Sequence, residues 1–106
     1  MDAMRDLLLT LAFGLTASAV WAEAITTATW GCRDLETVER MNEAILAGDR
    51  RAAEVIMNGD DCVWWTPGTR VAPIARHRDW DLVCVARSGS DRCYWTDREA
   101  TDIGEE

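Results

Sequence analysis

The chain has 106 residues and a formal charge of −8, which leaves room for one domain. The acidic balance excludes nucleic acid and anionic membrane surfaces as partners, because both recruit basic patches. There is no G-x-S-x-G, no phosphate-binding glycine loop and no H-E-x-x-H, so the common hydrolase and nucleotide chemistries lack their motifs.

Residues 1–22 have the layout of a cleavable secretory signal. A short start carries Arg5, an apolar run extends from Leu7 to Ala19, and Val20-Trp21-Ala22 forms a small-x-small site before Glu23. The run is shorter than the roughly 20 apolar residues of a membrane span. No stable membrane insertion is therefore expected after cleavage. An apolar first helix of the folded domain would show a polar face at helical spacing, and this run shows none. Asp2 and Asp6 offset Arg5, whereas signal starts are usually basic, and initiation at Met4 would give a more ordinary one. Cleavage after Ala22 leaves 84 residues with a formal charge of −7.

Four cysteines follow the signal: Cys32, Cys62, Cys84 and Cys93. An even number behind a signal predicts two disulfides, with three pairings open. Zinc would want C-x2-4-C pairs, and here the closest two, Cys84 and Cys93, are separated by eight residues. A lipid-anchoring cysteine would directly follow the apolar run, and Cys32 comes ten residues after Ala22. No metal or other cofactor is expected.

Residues 23–33 are polar and threonine-rich and read as an extended lead-in. A helical hairpin is predicted over 34–59. Asp34 is the first N-cap, with Leu35, Val38, Met41 and Ile45 as the apolar face. Gly48 ends this helix, Asp49 caps the next, Ala52, Ala53, Ile56 and Met57 form its apolar side, and Asn58-Gly59 stops it. Residues 60–100 form a β region with predicted strands at 62–66, 69–75, 81–87 and 92–96. Pro67-Gly68 signals a type II turn, and Pro73 places its strand at an edge or on a bulge. The acidic tail, 101–106, is expected to be loose. The fold class is α+β, a short helical hairpin packed on a small antiparallel barrel or bent sheet.

The stretch 67–99 resembles a bacterial SH3-like domain. The likeness rests on Gly68-Thr69-Arg70-Val71 opening a strand, Asp79-Trp80 before Leu82-Val83-Cys84-Val85, the Gly89 turn, and Tyr94-Trp95-Thr96. It covers about a third of the chain, and Tyr94 stands where the family usually has glycine. The resemblance implies an SH3-like sheet and a role in binding cell-wall peptide or another protein.

Local geometry favours one disulfide pattern. Taken as a two-residue hairpin turn, Ser88-Gly89 sets Cys84 directly opposite Cys93, Leu82 opposite Trp95 and Val83 opposite Tyr94. An antiparallel helical hairpin returns the chain towards its start, which brings Cys62 to Cys32.

His77 is the only histidine, and a Cys–His nucleophile pair would need a free thiol, so it reads as an ordinary surface residue. Asp60/Asp61 and Asp79/Asp81 lack the spacing of a calcium loop. They are explained by helix termination and loop solvation, and 84 residues offer little room for a glycosidase cleft. The tryptophans are the unusual feature. Adjacent strand residues point to opposite faces, so Trp64 and Trp65 cannot both enter one core. Most tryptophans are expected in the core. The rest, with Tyr94 and arginines, would form a recognition surface, because Trp, Tyr and Arg dominate binding hot spots. The candidate binding residues are Trp80, Tyr94, Trp65, Arg76 and Arg78. The expected function is a periplasmic or secreted non-enzymatic module that recognises a protein or a peptidoglycan component of the envelope. An acidic inhibitor of a secreted hydrolase such as a lysozyme or protease is the alternative. Oligomeric state leaves no mark on the sequence. Peptide mapping of the unreduced protein should recover Cys32 joined to Cys62 and Cys84 joined to Cys93. A peptide linking Cys62 to Cys84 would contradict this pairing.

Overall fold

A computed structural model describes residues 23–105, so the expected signal at 1–22 lies outside the described residues. Two helices and five antiparallel strands make an α+β fold. In chain order they are β1 (Thr29–Cys32), α1 (Leu35–Leu46), α2 (Arg50–Met57), β2 (Cys62–Trp65), β3 (Val71–His77), β4 (Leu82–Arg87) and β5 (Cys93–Asp97). A 3-10 turn at Arg98–Ala100 follows.

The strands lie in the order β2-β1-β5-β4-β3, so β2 and β3 are the two edges. These edges are also consecutive in sequence, joined by a tight turn in which the Thr69 amide donates to Thr66 O at 3.2 Å. Gly68 supplies its positive φ of 93°, as the Pro67-Gly68 pair predicts. A flat five-stranded sheet would hold its edges about 20 Å apart, so the sheet is strongly bent. It does not close. The segment Glu23–Ile25 lies beside the turn instead, with the Ile25 amide donating to Thr69 O at 2.9 Å and the Gly68 amide to Ile25 O at 2.8 Å.

The helices start and stop on the predicted residues. The Asp34 carboxylate accepts from the Thr37 amide at 2.8 Å and the Thr37 hydroxyl at 2.9 Å, and these bonds hold its pKa below the ordinary value. Asp49 caps α2 through the Ala52 amide at 3.1 Å. Gly48, at φ 70°, makes the reversal between them. The inward face of α1 differs in its last turn: Val38 and Met41 are buried as expected, but Ala44 is buried in place of Ile45.

Strand alternation sorts the sheet into two faces. One carries Cys62 and Trp64, Trp30 and Cys32, Trp95 and Asp97, and Leu82 and Cys84. Part of it packs with Val38 of α1 and Ile56 and Met57 of α2, around the buried Cys32–Cys62 bridge. The other face carries Val63, Trp65, Val83, Val85 and Tyr94, which form the main core with Ile25, Val71 and Ile103. Within it the Trp65 indole Nε1 donates to Thr96 Oγ1 at 2.9 Å, Tyr94 meets the ring edge-on at 6.0 Å, and the Arg87 guanidinium lies 5.2 Å from the ring centroid.

Three expectations need correction. The lead-in is extended as expected but does not merely lead in: it contains β1, an interior strand paired on both sides. The tail is not loose up to Ile103. Thr101 and Ile103 are buried, Ile25 bridges to Thr101, and the Asp102 amide donates to Ala24 O at 3.1 Å. The β4–β5 register is displaced by two residues, with Cys84 opposite Trp95 and Ala86 opposite Cys93. The Ser88-Gly89 turn itself forms as expected, with the Ser90 amide donating to Arg87 O at 3.0 Å and Gly89 third at φ 85°. The shift arises after it, where residues 90–92 stay out of the ladder and β5 begins only at Cys93. A two-residue slip leaves every side chain on its own face. The Cys84–Cys93 bridge therefore forms diagonally, with the Cα atoms 5.2 Å apart. Cys32 and Cys62 are direct ladder partners, 4.0 Å apart at Cα.

Gly31 is required where β1 passes beneath the Trp65 indole. A Cβ there would collide with Thr96 Oγ1 and come within 3.0 Å of Trp65 Nε1 and Trp95 O. Gly31→Ala should destabilise the protein by about 2 kcal/mol or more. Thr96→Val should cost roughly 1–3 kcal/mol by leaving the buried indole N–H unpaired. Urea unfolding midpoints measure both, and a wild-type midpoint for Gly31→Ala would show that β1 does not run beneath Trp65.

Candidate functional site

The helical hairpin leaves one end of its sheet face uncovered. Across that end the register sets Trp64 opposite Trp30 and Asp97 opposite Leu82, and Leu82 is opposite His77. Continuing the β1–β5 pairing by one residue places Asp97 beside Trp30. Between this row and α1 lies a cleft of about 260 Å³. Trp30, Trp80 and Trp95 line it together with the polar residues Thr29, Asn42 and Asp97 and the apolar Val38 and Leu82. Glu39 stands with Asn42 and Trp80 at an adjoining recess. Trp64, 57% exposed on the edge strand, extends the aromatic row outward beside Trp30.

Trp80 reaches the cleft from the turn between β3 and β4. The Asp81 amide donates to Arg78 O at 3.2 Å, and Asp81 takes φ 54°, a backbone state that aspartate tolerates better than most residues. The Trp80 amide donates to His77 Nδ1 at 3.3 Å. The two rings stack with centroids 4.8 Å apart, and His77 also meets Trp95 edge-on at 6.5 Å. His77 thus supports two of the three indoles. Asp81 pins the other end of the turn, accepting from Arg98 Nε at 2.7 Å and Arg98 Nη2 at 3.2 Å. The Arg98 guanidinium holds the Asp81 carboxyl below the ordinary aspartate range.

The five predicted binding residues do not come together. Trp80 does line the cleft and is 46% exposed. Trp65 is 1% exposed and belongs to the core of the opposite face. Its neighbour Trp64 is the outward one, because the two alternate across the sheet. Tyr94 packs against that same core. Arg76 Nη1 donates to Gly104 O at 2.8 Å, which ties down the C-terminal segment. Arg78 is exposed in the turn outside the cleft lining. Trp30, Trp95, Asn42 and Asp97 were missed. Trp95 and Asp97 could have been grouped by their i, i+2 spacing on one strand. Trp30 and Asn42 reach the cleft only through the pairing of β1 and the docking of α1, for which no short-range signal exists.

No protein-family model matches the chain, and no curated protein and no solved structure matches it significantly.

The Asp81–Arg98 pair ties the orientation of Trp80 to pH. The folded-state pKa of Asp81 is depressed, so its contribution is complete above the unfolded aspartate value. It is lost as pH falls through the lower folded value. The Trp80 indole resonance should therefore show a step below the ordinary aspartate range. Asp81→Asn keeps the backbone preference and removes the charge, and should abolish that step. A step that persists in Asp81→Asn would contradict the assignment.

Proposed function

We propose that the chain is an exported, disulfide-stabilised, non-enzymatic binding module that recognises a protein or cell-wall component of the envelope. The observation that carries this reading is the convergence of Trp30, Trp80 and Trp95, with Asp97 and Asn42, on one cleft that the helices leave open. Aromatic side chains supply large contact area at small entropic cost, and a few placed polar groups orient what binds. Two disulfides in so small a domain fit an oxidising compartment, periplasmic or extracellular. No helix among the described residues is long and apolar enough to cross a membrane. The likeness of 67–99 to bacterial SH3-like domains supports the same role. All four cysteines are bridged and His77 is engaged in holding Trp80, so the groups most suited to nucleophilic chemistry are occupied structurally.

The test uses the oxidised protein on isolated peptidoglycan and on solubilised envelope proteins, alongside Trp80→Ala and Ile74→Ser. Ile74 is exposed on β3, outside the cleft lining. Wild type and Ile74→Ser should retain one partner or co-sediment with the wall, and Trp80→Ala should lose about tenfold or more in affinity. Equal retention by Trp80→Ala, or no specific partner at all, would overturn the reading.

A further inference from the structure

The charges around the cleft are of one sign. Asp97 lines it, Glu39 lies at the adjoining recess, and no arginine, lysine or histidine lines either. Among the described residues neither carboxylate has a cationic partner. Asp97 Oδ1 accepts the Glu99 amide at 3.1 Å, and the charged partners of Arg98 are Asp81 and Glu105. Three indoles line the same cleft, and an indole face carries the negative part of the ring quadrupole, which attracts a cation within about 6 Å of its centroid. Three such indoles and an uncompensated carboxylate disfavour an anion. A hard metal ion is also disfavoured, since it would need six or more oxygen ligands, and no cluster of three or more metal-ligating side chains occurs among the described residues. A neutral sugar could stack on the rings and bond Asn42 and Asp97, but it would gain nothing from the negative field. An alkylated ammonium answers both the indoles and the carboxylate, because its charge is spread over alkyl groups that pack on aromatic rings and, when quaternary, it brings no N–H donors that must be satisfied.

We propose that the cleft binds an alkylated ammonium group, with Trp30, Trp80 and Trp95 as its walls and Asp97 as its counter-charge. This rests on the reading of the cleft as the recognition site and adds the class of group it takes. Cation recognition also suits a chain of net charge −8, whose field concentrates cations near its surface.

The experiment follows the indole N–H resonances of the oxidised protein during titration with choline chloride. A second titration uses 3,3-dimethyl-1-butanol, which has the same shape without the charge, and a third uses glucose. Choline should produce saturable shifts at Trp30, Trp80 and Trp95 and leave the buried Trp65 unmoved. The neutral isostere should bind about tenfold more weakly or worse. Asp97→Asn, which keeps the oxygen that caps the Glu99 amide, should weaken choline by about tenfold. Trp80→Ala should abolish saturation, and Ile74→Ser should bind as wild type. Co-sedimentation with phosphatidylcholine vesicles separates the two sources of the group. Choline binding with vesicle binding assigns a lipid headgroup, and choline binding without it assigns a free or polymer-borne ammonium. Equal affinity for the isostere, saturation by glucose and not choline, or no saturable shift with choline would each overturn the proposal. If choline fails while Trp80→Ala still loses the envelope partner, the ligand class falls and the binding-module reading stands. If choline fails and Trp80→Ala keeps its partner, both fall.

Discussion

The Trp65 indole reaches across β1 to Thr96 on β5, and it can do so only because residue 31 has no side chain. This one contact joins three strands, β2, β1 and β5, through a buried hydrogen bond. It explains why a glycine, ordinarily a weak strand residue, occupies an interior strand of the sheet. Its neighbour Trp30 then points to the other face by strand alternation. The core and the candidate site are thus opposite sides of one four-residue strand. Tight packing of Trp65 against Gly31 on one side holds Trp30 beside Asp97 on the other.

The two disulfides act on the side of the sheet that the helices cover. Cys32–Cys62 spans the ladder between β1 and β2 and closes the segment containing both helices. A bridge across a loop of this length contributes about 3.6 kcal/mol in the chain-entropy view, which is large beside the margin of a domain this small. Cys84–Cys93 fastens β4 to β5 diagonally on that same face. The Cys32–Cys62 bridge keeps the hairpin at the cysteine end of β1 and β2. The other end, with Trp30, Asp97 and Leu82, stays open to form the cleft.

Local chemistry was legible in the sequence, and long-range pairing was not. Asp34, Gly48 and Asp49 marked the helix ends because capping depends on a few adjacent residues. Pro67-Gly68 marked its turn, Pro73 marked an edge strand whose register shifts near it, and the pairing of the cysteines followed from where hairpins return. β1 was hidden because a four-residue strand containing glycine has little propensity of its own and is held by two partners distant in sequence. Parity separated Trp64 from Trp65 without saying which face is the core, a matter decided by Gly31 and Thr96. The tail looked loose by composition, yet Thr101 and Ile103 are held by Arg98 and the segment at Ala24–Ile25, and Gly104 by Arg76.

The cleft draws on five separate segments, β1, α1, the Trp80 turn, β4 and β5, so recognition there depends on the whole fold. Hydroxyl-radical footprinting of the oxidised protein, alone and with its captured envelope partner, tests this most directly. The account predicts that free Trp80 and Trp64 oxidise readily, that Trp65 is protected throughout, and that the partner shields Trp30, Trp80 and Trp95 together. Shielding at Tyr94 and Arg87 on the opposite face, with Trp80 unchanged, would contradict it.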